Sequence, residues 1–453
     1  MKIIYLDKNL YCTRSAYVWN GELWGFNAED KSISRFVANI YKAKIARVVS
    51  GLDAVFVDLG KSKTGFLPLC GKDISGYKEG NYVMCQVKRD YFGSKDMAVK
   101  EDIAIAGNLA IYLPRSQGVN VSKKITTDRR AELIKLFVGK ECDAGIILRT
   151  AAEKAEREQV LEEIENLKSK WMQIEETYRK MQGAGLVYRE LNLCDRIKRD
   201  EMHEIDKIIT NDYETYKEFE GKAEFFDKNY DLFDYYGLSR DIEGIANKKV
   251  DLPNGGSLVF DYTEACTLVD VNTNKHLGKD DMETTIFETN IIAARELIRQ
   301  IVLRNISGAI LVDFISMKTP EHNEALLEAL NHYSKLDKVC TSVLGMTKLG
   351  LVEITRRKTD QQRDILLLDT CKNCNGTGKL FKAEYVLCKV LGKMIDINRE
   401  NSPRRFTIML SSRIYEALEN SFFIEESQRR FPRADINIVL DDSMGNCEYR
   451  IQI

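Results

Sequence analysis

Hydrophobic and polar residues alternate in short runs through the first hundred residues of the chain. Residues 1–34 hold three runs rich in aromatic and β-branched residues, IIYL, AYVW and ELWGF. Five more runs follow in residues 35–101, separated by turns rich in Gly, Ser and Lys: NIYKAKIARVV, AVFVDLG, GFLPLC, NYVMCQVKRD and MAVKE. Alternation with a period of two is typical of half-buried strands. The pattern therefore predicts short strands in residues 1–34 and a small closed barrel in residues 35–101.

The pattern becomes helical and rich in charge between Ala151 and Met181. Its Val, Leu and Ile residues form one apolar stripe, and its Glu and Lys residues pair at helical spacing. We interpret this segment as a solvated scaffold helix, with a binding helix as the alternative. Residues 185–247 then alternate strands and helices, and Asn254-Gly255-Gly256 predicts a hairpin turn.

Two apolar strands that carry aspartate flank a helix in residues 257–317. LVDVN ends in Asp270 and Asn272, and ILVDFIS carries Asp313. The residues between them have an apolar helix face with a spacing of four, three, four and three, formed by Phe287, Ile291, Ala294, Ile298 and Ile301. A strand, helix and strand of this length form a right-handed crossover, so the two strands should be parallel and close. Both aspartates should then lie near the same edge of the sheet.

Two neighbouring carboxylates at strand ends need a positive partner, because they are costly to desolvate and repel each other. A Lys or Arg side chain in a structural ion pair is one solution. A Mg²⁺ ion is the other, since Mg²⁺ commonly takes one or two carboxylates together with water and substrate phosphate. Asn272 lies two residues after Asp270 on the same strand face and can orient a water.

The stretch CKNCNGTG places Cys371 and Cys374 at the spacing of a metal clip. A structural zinc site needs four ligands, usually from two such pairs, and the other nine cysteines are scattered singly. Either the motif is a redox pair, or the second half of a zinc site lies on another molecule. A redox pair should lie where a helix begins, and the NGTG turn speaks against a helix there.

The composition indicates the general class of the protein but says little about the reaction it performs. The chain has 453 residues, enough for two to four domains, with 44% hydrophobic and 30% charged residues. It has no leader-like N-terminus and no run of 18 apolar residues, and its eleven cysteines suggest a reducing cytoplasm. The formal net charge is -2, so any nucleic acid must be bound by local basic patches.

Several long motifs occur together in one order: GGSLVFDYTEACTLVDVNTN, DMETTIFETNIIAARELIRQIVLRNISGAILVDFISM, LGLVEITRRK and CKNCNGTG. Together they resemble the catalytic half of the ribonuclease E/G family, as do NIYKAKIARVVSGLDAVFVDLGKSKTGFLPL and GIILRTA. The resemblance extends over roughly residues 1–380, and the chain's length is similar to that of the short family members.

The resemblance implies a Mg²⁺-dependent endoribonuclease that cleaves single-stranded RNA in rRNA and tRNA processing and in mRNA decay. It also implies a preference for 5′-monophosphorylated RNA and products with 5′-phosphate and 3′-hydroxyl ends. We keep a non-catalytic RNA-binding dimer of the same architecture as the alternative function.

The resemblance also assigns roles to residues. It makes Asp270 and Asp313 the Mg²⁺ ligands, and it makes Asn272 the residue that places the water and Arg304 a residue near the scissile phosphate. It assigns RNA binding to Phe56, Phe66 and Lys95, and a pocket for the 5′-monophosphate to Arg149 and Thr150. Cys371 and Cys374 would share one structural zinc with the same pair of a second protomer. That sharing implies a homodimer, with a tetramer as an open alternative.

Two of these assignments differ from what the pattern alone favours. Alternation favours core positions for Phe56 and Phe66, whereas the resemblance places them on the RNA-binding face. The basic run Arg356, Arg357 and Lys358 fits a solvated turn and a second RNA-binding surface equally well.

The expected fold is α/β and multidomain. The resemblance implies an RNase H-like subdomain that is interrupted by an OB-fold RNA-binding barrel and followed by a DNase I-like catalytic subdomain, a zinc clip and a small C-terminal α/β subdomain. The expected order is the first RNase H-like segment (1–34), OB-fold (35–101), 5′-end sensor with the long helix (102–182), second RNase H-like segment (183–245), DNase I-like subdomain (246–366), zinc-link (367–380) and C-terminal subdomain (381–453).

Overall fold

The computed structural model describes residues 1–30, 36–60, 63–89, 96–137, 143–273, 282–358, 362–374, 376–401 and 403–453. Two compact units make up the chain, Met1–Leu367 and Leu368–Ile453. No helix in the described ranges is long and apolar enough to cross a membrane.

The first unit begins with an antiparallel meander of three strands: β1 (Lys2–Lys8), β2 (Cys12–Trp19) and β3 (Glu22–Asp30). Asn20 and Gly21 join β2 to β3, and both have positive φ, at 51° and 83°. A two-residue turn of this kind matches the twist of the strands it connects. The three strands predicted for residues 1–34 are thus present.

A closed five-stranded barrel follows, as the alternation predicts. Its strands are β4 (Ile40–Val49), β5 (Ala54–Gly60), β6 (Lys63–Pro68), β7 (Tyr82–Arg89) and β8 (Met97–Lys100). They pair in the order β4-β5-β6-β8-β7, and a β4–β7 pairing closes the ring. Every second residue of β5 points inward, including Val55 and Val57, which are fully buried. The barrel is consistent with an OB-fold.

The next segment packs a long helix on a small sheet. Its elements are β9 (Ile105–Ala106), β10 (Ala110–Leu113), β11 (Val119–Val121), α1 (Thr127–Lys135), β12 (Gly145–Leu148) and α2 (Arg157–Lys180). Helix α2 buries one stripe, formed by Val160, Ile164, Leu167, Trp171 and Ile174. This stripe joins the sheet and barrel residues Ile40 and Met84 in one apolar core, so α2 is a scaffold helix.

Residues 185–246 are shared between two sheets. The elements are β13 (Gly185–Tyr188), α3 (Leu193–Asp200), β14 (Lys207–Thr210), α4 (Tyr213–Glu218), β15 (Ala223–Phe225), α5 (Leu232–Tyr235) and α6 (Ser239–Glu243). Strands β14 and β15 extend the meander in the order β15-β14-β1-β2-β3, with β14 parallel to β1. Strand β13 instead pairs with β4 and extends the barrel sheet, although the expected order assigns it to the RNase H-like subdomain.

A six-stranded sheet completes the first unit. Its elements are β16 (Lys249–Asp251), β17 (Ser257–Tyr262), β18 (Cys266–Asn272), α7 (Met282–Leu303), β19 (Gly308–Asp313), α8 (Pro320–Ser334), β20 (Thr341–Met346) and β21 (Val352–Arg356). The strand order is β16-β17-β18-β19-β21-β20. Apolar residues of one sheet face pack with those of α7 and α8 in a single core. On β18 the other face carries Leu268, Asp270 and Asn272, all exposed.

The second unit has its own core around a three-stranded sheet. Its elements are α9 (Ala383–Asn401), β22 (Arg405–Leu410), α10 (Ser412–Glu416), α11 (Phe423–Arg430), β23 (Asp435–Leu440) and β24 (Tyr449–Gln452). Strand β22 lies between β23 and β24. Phe406, Ile408 and Leu410 of β22 pack with Val390 and Met394 of α9. The segments FTIML and INIVL are therefore strands.

Candidate active site

Asp270 and Asp313 lie side by side on two neighbouring strands. Strands β18 and β19 are parallel, and their register pairs Asp270 directly with Asp313. Both side chains are exposed, because their strand neighbours Val269, Val271 and Val312 take the inward positions. The predicted crossover geometry is thus confirmed.

Asn272 belongs to the same face of β18. Its side-chain Nδ2 donates a hydrogen bond of 2.8 Å to Oδ2 of Asp270. This bond orients the amide beside the carboxylate pair and leaves its carbonyl oxygen as an acceptor for water. The arrangement brings together three of the four residues that the sequence assigns to catalysis.

The two carboxylates have no ion-pair partner among the described residues, so the ion-pair alternative finds no support there. No group of three or more metal-binding side chains occurs in the same described ranges either. Mg²⁺ does not need such a group, because it commonly binds one or two carboxylates and keeps several waters. The exposed pair with a neighbouring amide fits Mg²⁺, and it does not fit a closed zinc site, which needs four ligands.

A buried amide fixes the backbone two residues after Asp313. Asn290 of α7 is fully buried, donates to the carbonyl oxygen of Ile315 at 2.8 Å and accepts from the Ile315 amide at 3.2 Å. Because both polar ends of Asn290 are paired with the same residue, the end of β19 is held against α7. The site therefore has a supporting residue that the sequence analysis did not identify.

Glu283, in the first turn of α7, makes a second contact with the chain that follows β19. Its Oε1 accepts hydrogen bonds from the amides of Lys318 at 2.9 Å and Thr319 at 3.3 Å, and it lies 3.4 Å from Nδ1 of His322. Desolvation opposes ionisation of this carboxyl, but these hydrogen bonds lower the pKa of Glu283 overall. The chain after Asp313 is thus fixed by two polar contacts from one helix. The polar residues within the apolar face of α7 were the signal in the sequence.

Arg304 is buried in the interior, whereas an arginine that binds a substrate phosphate would have an accessible guanidinium. The side chain is 2% exposed, and its guanidinium donates to Oε1 of Gln300 at 2.7 Å and to the carbonyl of Asn247 at 2.7 Å. It also stacks on the ring of Phe260, 4.6 Å from the centroid. These are the contacts of a structural arginine, and the phosphate role of Arg304 stays a prediction.

Phe56 and Phe66 lie on the outer face of the barrel. They are paired across β5 and β6 with ring centroids 5.5 Å apart, and neither ring belongs to the buried core of the barrel. The guanidinium of Arg47 lies over Phe56 at 5.1 Å, and Nζ of Lys63 lies over Phe36 at 4.0 Å. The structure therefore rejects the core interpretation of both phenylalanines.

The barrel thus has a half-buried aromatic pair on its outer face with a cation beside it, which is the composition of a base-stacking surface. Lys95, which the resemblance assigns to the same surface, lies outside the described residues.

Arg149 and Thr150 follow β12 and have partners within the chain. Nη1 of Arg149 forms a 2.7 Å ion pair with Asp200, and Oγ1 of Thr150 lies 3.1 Å from Oγ of Ser122. Partial burial alone would raise the pKa of the Asp200 carboxyl, but Arg199 and Arg149 together lower it. A phosphate at Arg149 would therefore have to share the guanidinium with Asp200.

Cys371 and Cys374 lie in a turn, and the next helix, α9, begins only at Ala383. The amide of Gly378 donates to Sγ of Cys374 at 3.3 Å. This hydrogen bond, with further contributions from Cys371 and the amide of Gly376, lowers the pKa of the Cys374 thiol. The turn needs glycine, since Gly376 and Gly378 have φ of 83° and 66°. A thiol that accepts an amide hydrogen bond outside a helix start fits a metal ligand better than a redox pair.

Comparison with known proteins agrees with this arrangement. Residues 104–359 match the model of the ribonuclease E/G family. Ribonuclease G of Escherichia coli K12 is 32% identical over 440 residues, which cover 90% of each chain. Ribonuclease G of Haemophilus influenzae is 32% identical over 461 residues, 94% of this chain and 93% of that one. Ribonuclease E of E. coli K12 is 28% identical over 412 residues, 83% of this chain and 39% of the longer relative.

The chain belongs to the ribonuclease E/G family. The match to the family model contains Arg149, Asp270 and Asp313, whereas Phe56 and the cysteine pair lie outside residues 104–359. The similarity to the two ribonuclease G chains runs through nearly the whole length of both proteins.

The basic run Arg356, Arg357 and Lys358, which the sequence analysis considered as a second RNA-binding surface, contains one buried residue with a structural role. Arg356 is 4% exposed and donates to both carboxylate oxygens of Asp337, with an Nε–Oδ2 distance of 2.7 Å. It also donates to Oδ1 of Asn305 at 2.7 Å. Arg356 therefore holds β21 in place, and only Arg357 and Lys358 are exposed in this run.

Proposed function

We propose that this member of the ribonuclease E/G family cleaves single-stranded RNA in a Mg²⁺-dependent reaction centred on Asp270 and Asp313. Membership of the family makes the chain an endoribonuclease, a hydrolase that acts on RNA. The observation that carries the finer proposal is the register of β18 and β19, which pairs two exposed carboxylates that have no cationic partner among the described residues.

The chain's own residues would hold the ion and the water. Asp270 and Asp313 are the carboxylate ligands, and Asn272 offers its carbonyl oxygen to a water beside them. When bound there, Mg²⁺ would stabilise the charge that develops on the phosphate and lower the pKa of a coordinated water. Products with 5′-phosphate and 3′-hydroxyl ends follow if this water attacks the phosphorus and the 3′ oxygen leaves.

Three further features belong to the proposal. The barrel face around Phe56 and Phe66 would bind single-stranded RNA by stacking, together with Lys95. Arg149 and Thr150 would bind a 5′-monophosphate and so favour monophosphorylated substrates. Cys371 and Cys374 would share one zinc with the same pair of a second chain and link a homodimer.

The proposal is tested with a short single-stranded RNA labelled at one end. We expect cleavage in Mg²⁺, none in excess EDTA, and recovery when Mg²⁺ is restored. A kinase-accessible 5′ end on the downstream product without prior phosphatase treatment would contradict the predicted end groups. RNA binding without cleavage in Mg²⁺ would instead favour the non-catalytic alternative.

A further inference from the structure

The guanidinium of Arg149 is held through one of its three nitrogens. Nη1 donates to the carbonyl oxygen of Gly107 and forms the 2.7 Å ion pair with Oδ1 of Asp200. Among the described residues, Nε and Nη2 of Arg149 have no hydrogen-bond partner. These two nitrogens form one edge of the planar guanidinium, and such an edge can bind two oxygens of one phosphate. The phosphate-binding edge is therefore open, while the third nitrogen is fixed.

Asp200, the last residue of α3, is itself held by Arg199. Nε of Arg199 donates to Oδ1 of Asp200 at 3.0 Å, and Nη2 donates to Oδ2 at 2.9 Å. The remaining nitrogen of Arg199 pairs with Glu190. The side chains of Arg199 and Glu190 are only 14% and 11% exposed, so the carboxylate of Asp200 has little freedom to turn away. An ordered chain of contacts thus joins Glu190 to Arg149.

Asp200 does not stabilise the helix to which it belongs. A carboxylate at the C-terminal end of a helix lies at the negative end of the helix dipole, which is unfavourable. Its favourable contacts are instead those with Arg149 and Arg199. Arg149 follows β12, about fifty residues earlier in the chain, so the contact joins the expected 5′-end sensor to the second RNase H-like segment.

Asp200 could act at the RNA end as a competitor or as a positioning residue. A competitor would occupy the donors that the phosphate needs and would have to be displaced. The contacts favour positioning, because Asp200 binds Nη1 and leaves the Nε–Nη2 edge open. A side chain that is already held in one orientation also loses less conformational freedom when its ligand binds.

We propose that Asp200 is a positioning residue for the 5′-monophosphate: it holds Arg149 so that the Nε–Nη2 edge is presented to the RNA end. The inference rests on the proposed role of Arg149 at the 5′ end. It adds that this selectivity depends on α3, which lies outside residues 102–182. An RNA with a 5′-hydroxyl has no terminal phosphate for this edge to bind, so it gains nothing from the orientation of Arg149.

The test measures equilibrium binding of the full chain, in EDTA, to one short single-stranded RNA with either a 5′-monophosphate or a 5′-hydroxyl. Fluorescence anisotropy gives both Kd values, and the hydroxyl Kd divided by the monophosphate Kd is the end preference. Asp200→Ala should lower the end preference about five-fold, because Arg149 is then free to adopt other orientations. Asp200→Asn keeps an oxygen that can accept from Arg149, so it should lose less. The hydroxyl Kd and the melting temperature report general damage to a variant.

Two comparisons separate positioning from a general structural effect. Asp200→Ala added to Arg149→Ala should change the end preference no further, since Asp200 acts only through Arg149. Glu204→Ala is the matched control, because Glu204 is as exposed as Asp200, 33% against 32%, and forms an ion pair of 3.0 Å with Lys338. This control should keep the wild-type end preference.

An unchanged or larger end preference in Asp200→Ala, with Arg149→Ala still removing it, would overturn the inference. A larger value would make Asp200 a competitor of the phosphate, and an unchanged value would restrict it to a structural role. Equal Kd values for the two RNAs in the wild type would instead reject the sensor role of Arg149 and this inference with it.

Discussion

Asp270 and Asp313 have no ion-pair partner among the described residues, unlike Asp261 and Asp337 of the same unit. Asp261, on adjacent strand β17, forms an ion pair with Lys248, and Asp337 is held by Arg356 at 2.7 Å. Two adjacent exposed carboxylates without such partners repel each other and attract a cation. At the scale of single residues, this unbalanced negative charge is what the proposed metal site depends on.

The pairing of Arg149 with Asp200 leads to a prediction about the RNA end. Arg149→Ala should remove the preference for 5′-monophosphate over 5′-hydroxyl RNA and leave the rate on the hydroxyl substrate unchanged. A charged hydrogen bond contributes about 1.5–3 kcal/mol, so the preference should fall by about ten-fold or more. Paired kcat/KM measurements check this, with Lys154→Ala, an exposed residue of the same turn, as control. A wild-type enzyme with equal rates on both substrates would make Arg149 structural only.

Asn290 leads to a prediction about positioning. Asn290→Ala leaves the Ile315 amide and carbonyl without their partner, so the chain end that carries Asp313 should shift. We expect a weaker affinity for Mn²⁺, measured by electron paramagnetic resonance, and a higher Mg²⁺ concentration for half-maximal cleavage. Each buried group left unpaired should also cost about 1–3 kcal/mol of folding stability.

Gln300→Ala is the matched control for Asn290, since Gln300 is a buried amide farther along α7. It should lower the melting temperature without changing Mn²⁺ affinity. Equal metal affinity in the wild type and both variants would restrict Asn290 to a role in stability.

At the scale of elements, the sequence predicted those helices and strands whose pattern depends on residues close together in the chain. Alternation predicted the barrel strands, and the length of the segment between the two aspartates predicted the parallel crossover. The inward face of α7 was predicted less well, because Ile286, Ala293 and Leu297 are buried alongside Ala294 and Ile298. This helix is covered on more than one side, by the sheet, α8 and β3, so a single stripe underestimates its core.

Other element-level features depend on contacts between distant segments, which local patterns do not encode. Strand β13 pairs with β4 at a separation of about 145 residues, and this pairing assigns it to the barrel. Arg304 and Arg356 are buried because their guanidinium groups bind distant partners, the carbonyl of Asn247 and the carboxylate of Asp337. An arginine next to an apolar strand looks the same in sequence whether it binds a phosphate or a buried carboxylate.

The outward position of the phenylalanine pair leads to a prediction about the barrel. Phe56→Ala and Phe66→Ala should each weaken binding of single-stranded RNA, since base–aromatic stacking contributes about 1–3 kcal/mol. The affinity loss should be about five- to hundred-fold in fluorescence anisotropy with EDTA present, and the melting temperature should change little. Tyr82→Ala removes a different aromatic residue of the barrel, which is exposed, and should leave the RNA affinity unchanged. A large loss of stability with unchanged RNA affinity would contradict this prediction and show that both rings serve only in packing.

At the scale of the whole molecule, the second unit carries the cysteine turn, which is the feature that points to association. The cysteine turn supplies half of a tetrahedral site, and helix α9 begins nine residues after Cys374, at Ala383.

The shared-zinc prediction concerns stoichiometry. Purified protein should contain about one zinc per two chains by atomic emission, following the four-ligand rule. Cys371→Ser combined with Cys374→Ser should release the metal and weaken the dimer, whereas Cys388→Ser should leave the zinc content unchanged. One zinc per chain would place the two missing ligands within the same chain and exclude a shared site.

The central claim is that the paired carboxylates of β18 and β19 perform the cleavage, and one measurement tests it most directly. Single-turnover cleavage of a labelled single-stranded RNA in Mg²⁺ is compared between the wild type, Asp270→Asn, Asp313→Asn and the control Asp261→Asn. RNA affinity in EDTA and melting temperature are measured on the same samples. We predict that either site variant loses at least about a hundred-fold in rate, with RNA affinity and stability retained. Asp261→Asn should cleave at the wild-type rate. Wild-type rates for both site variants would contradict the account and place the active site elsewhere in the chain.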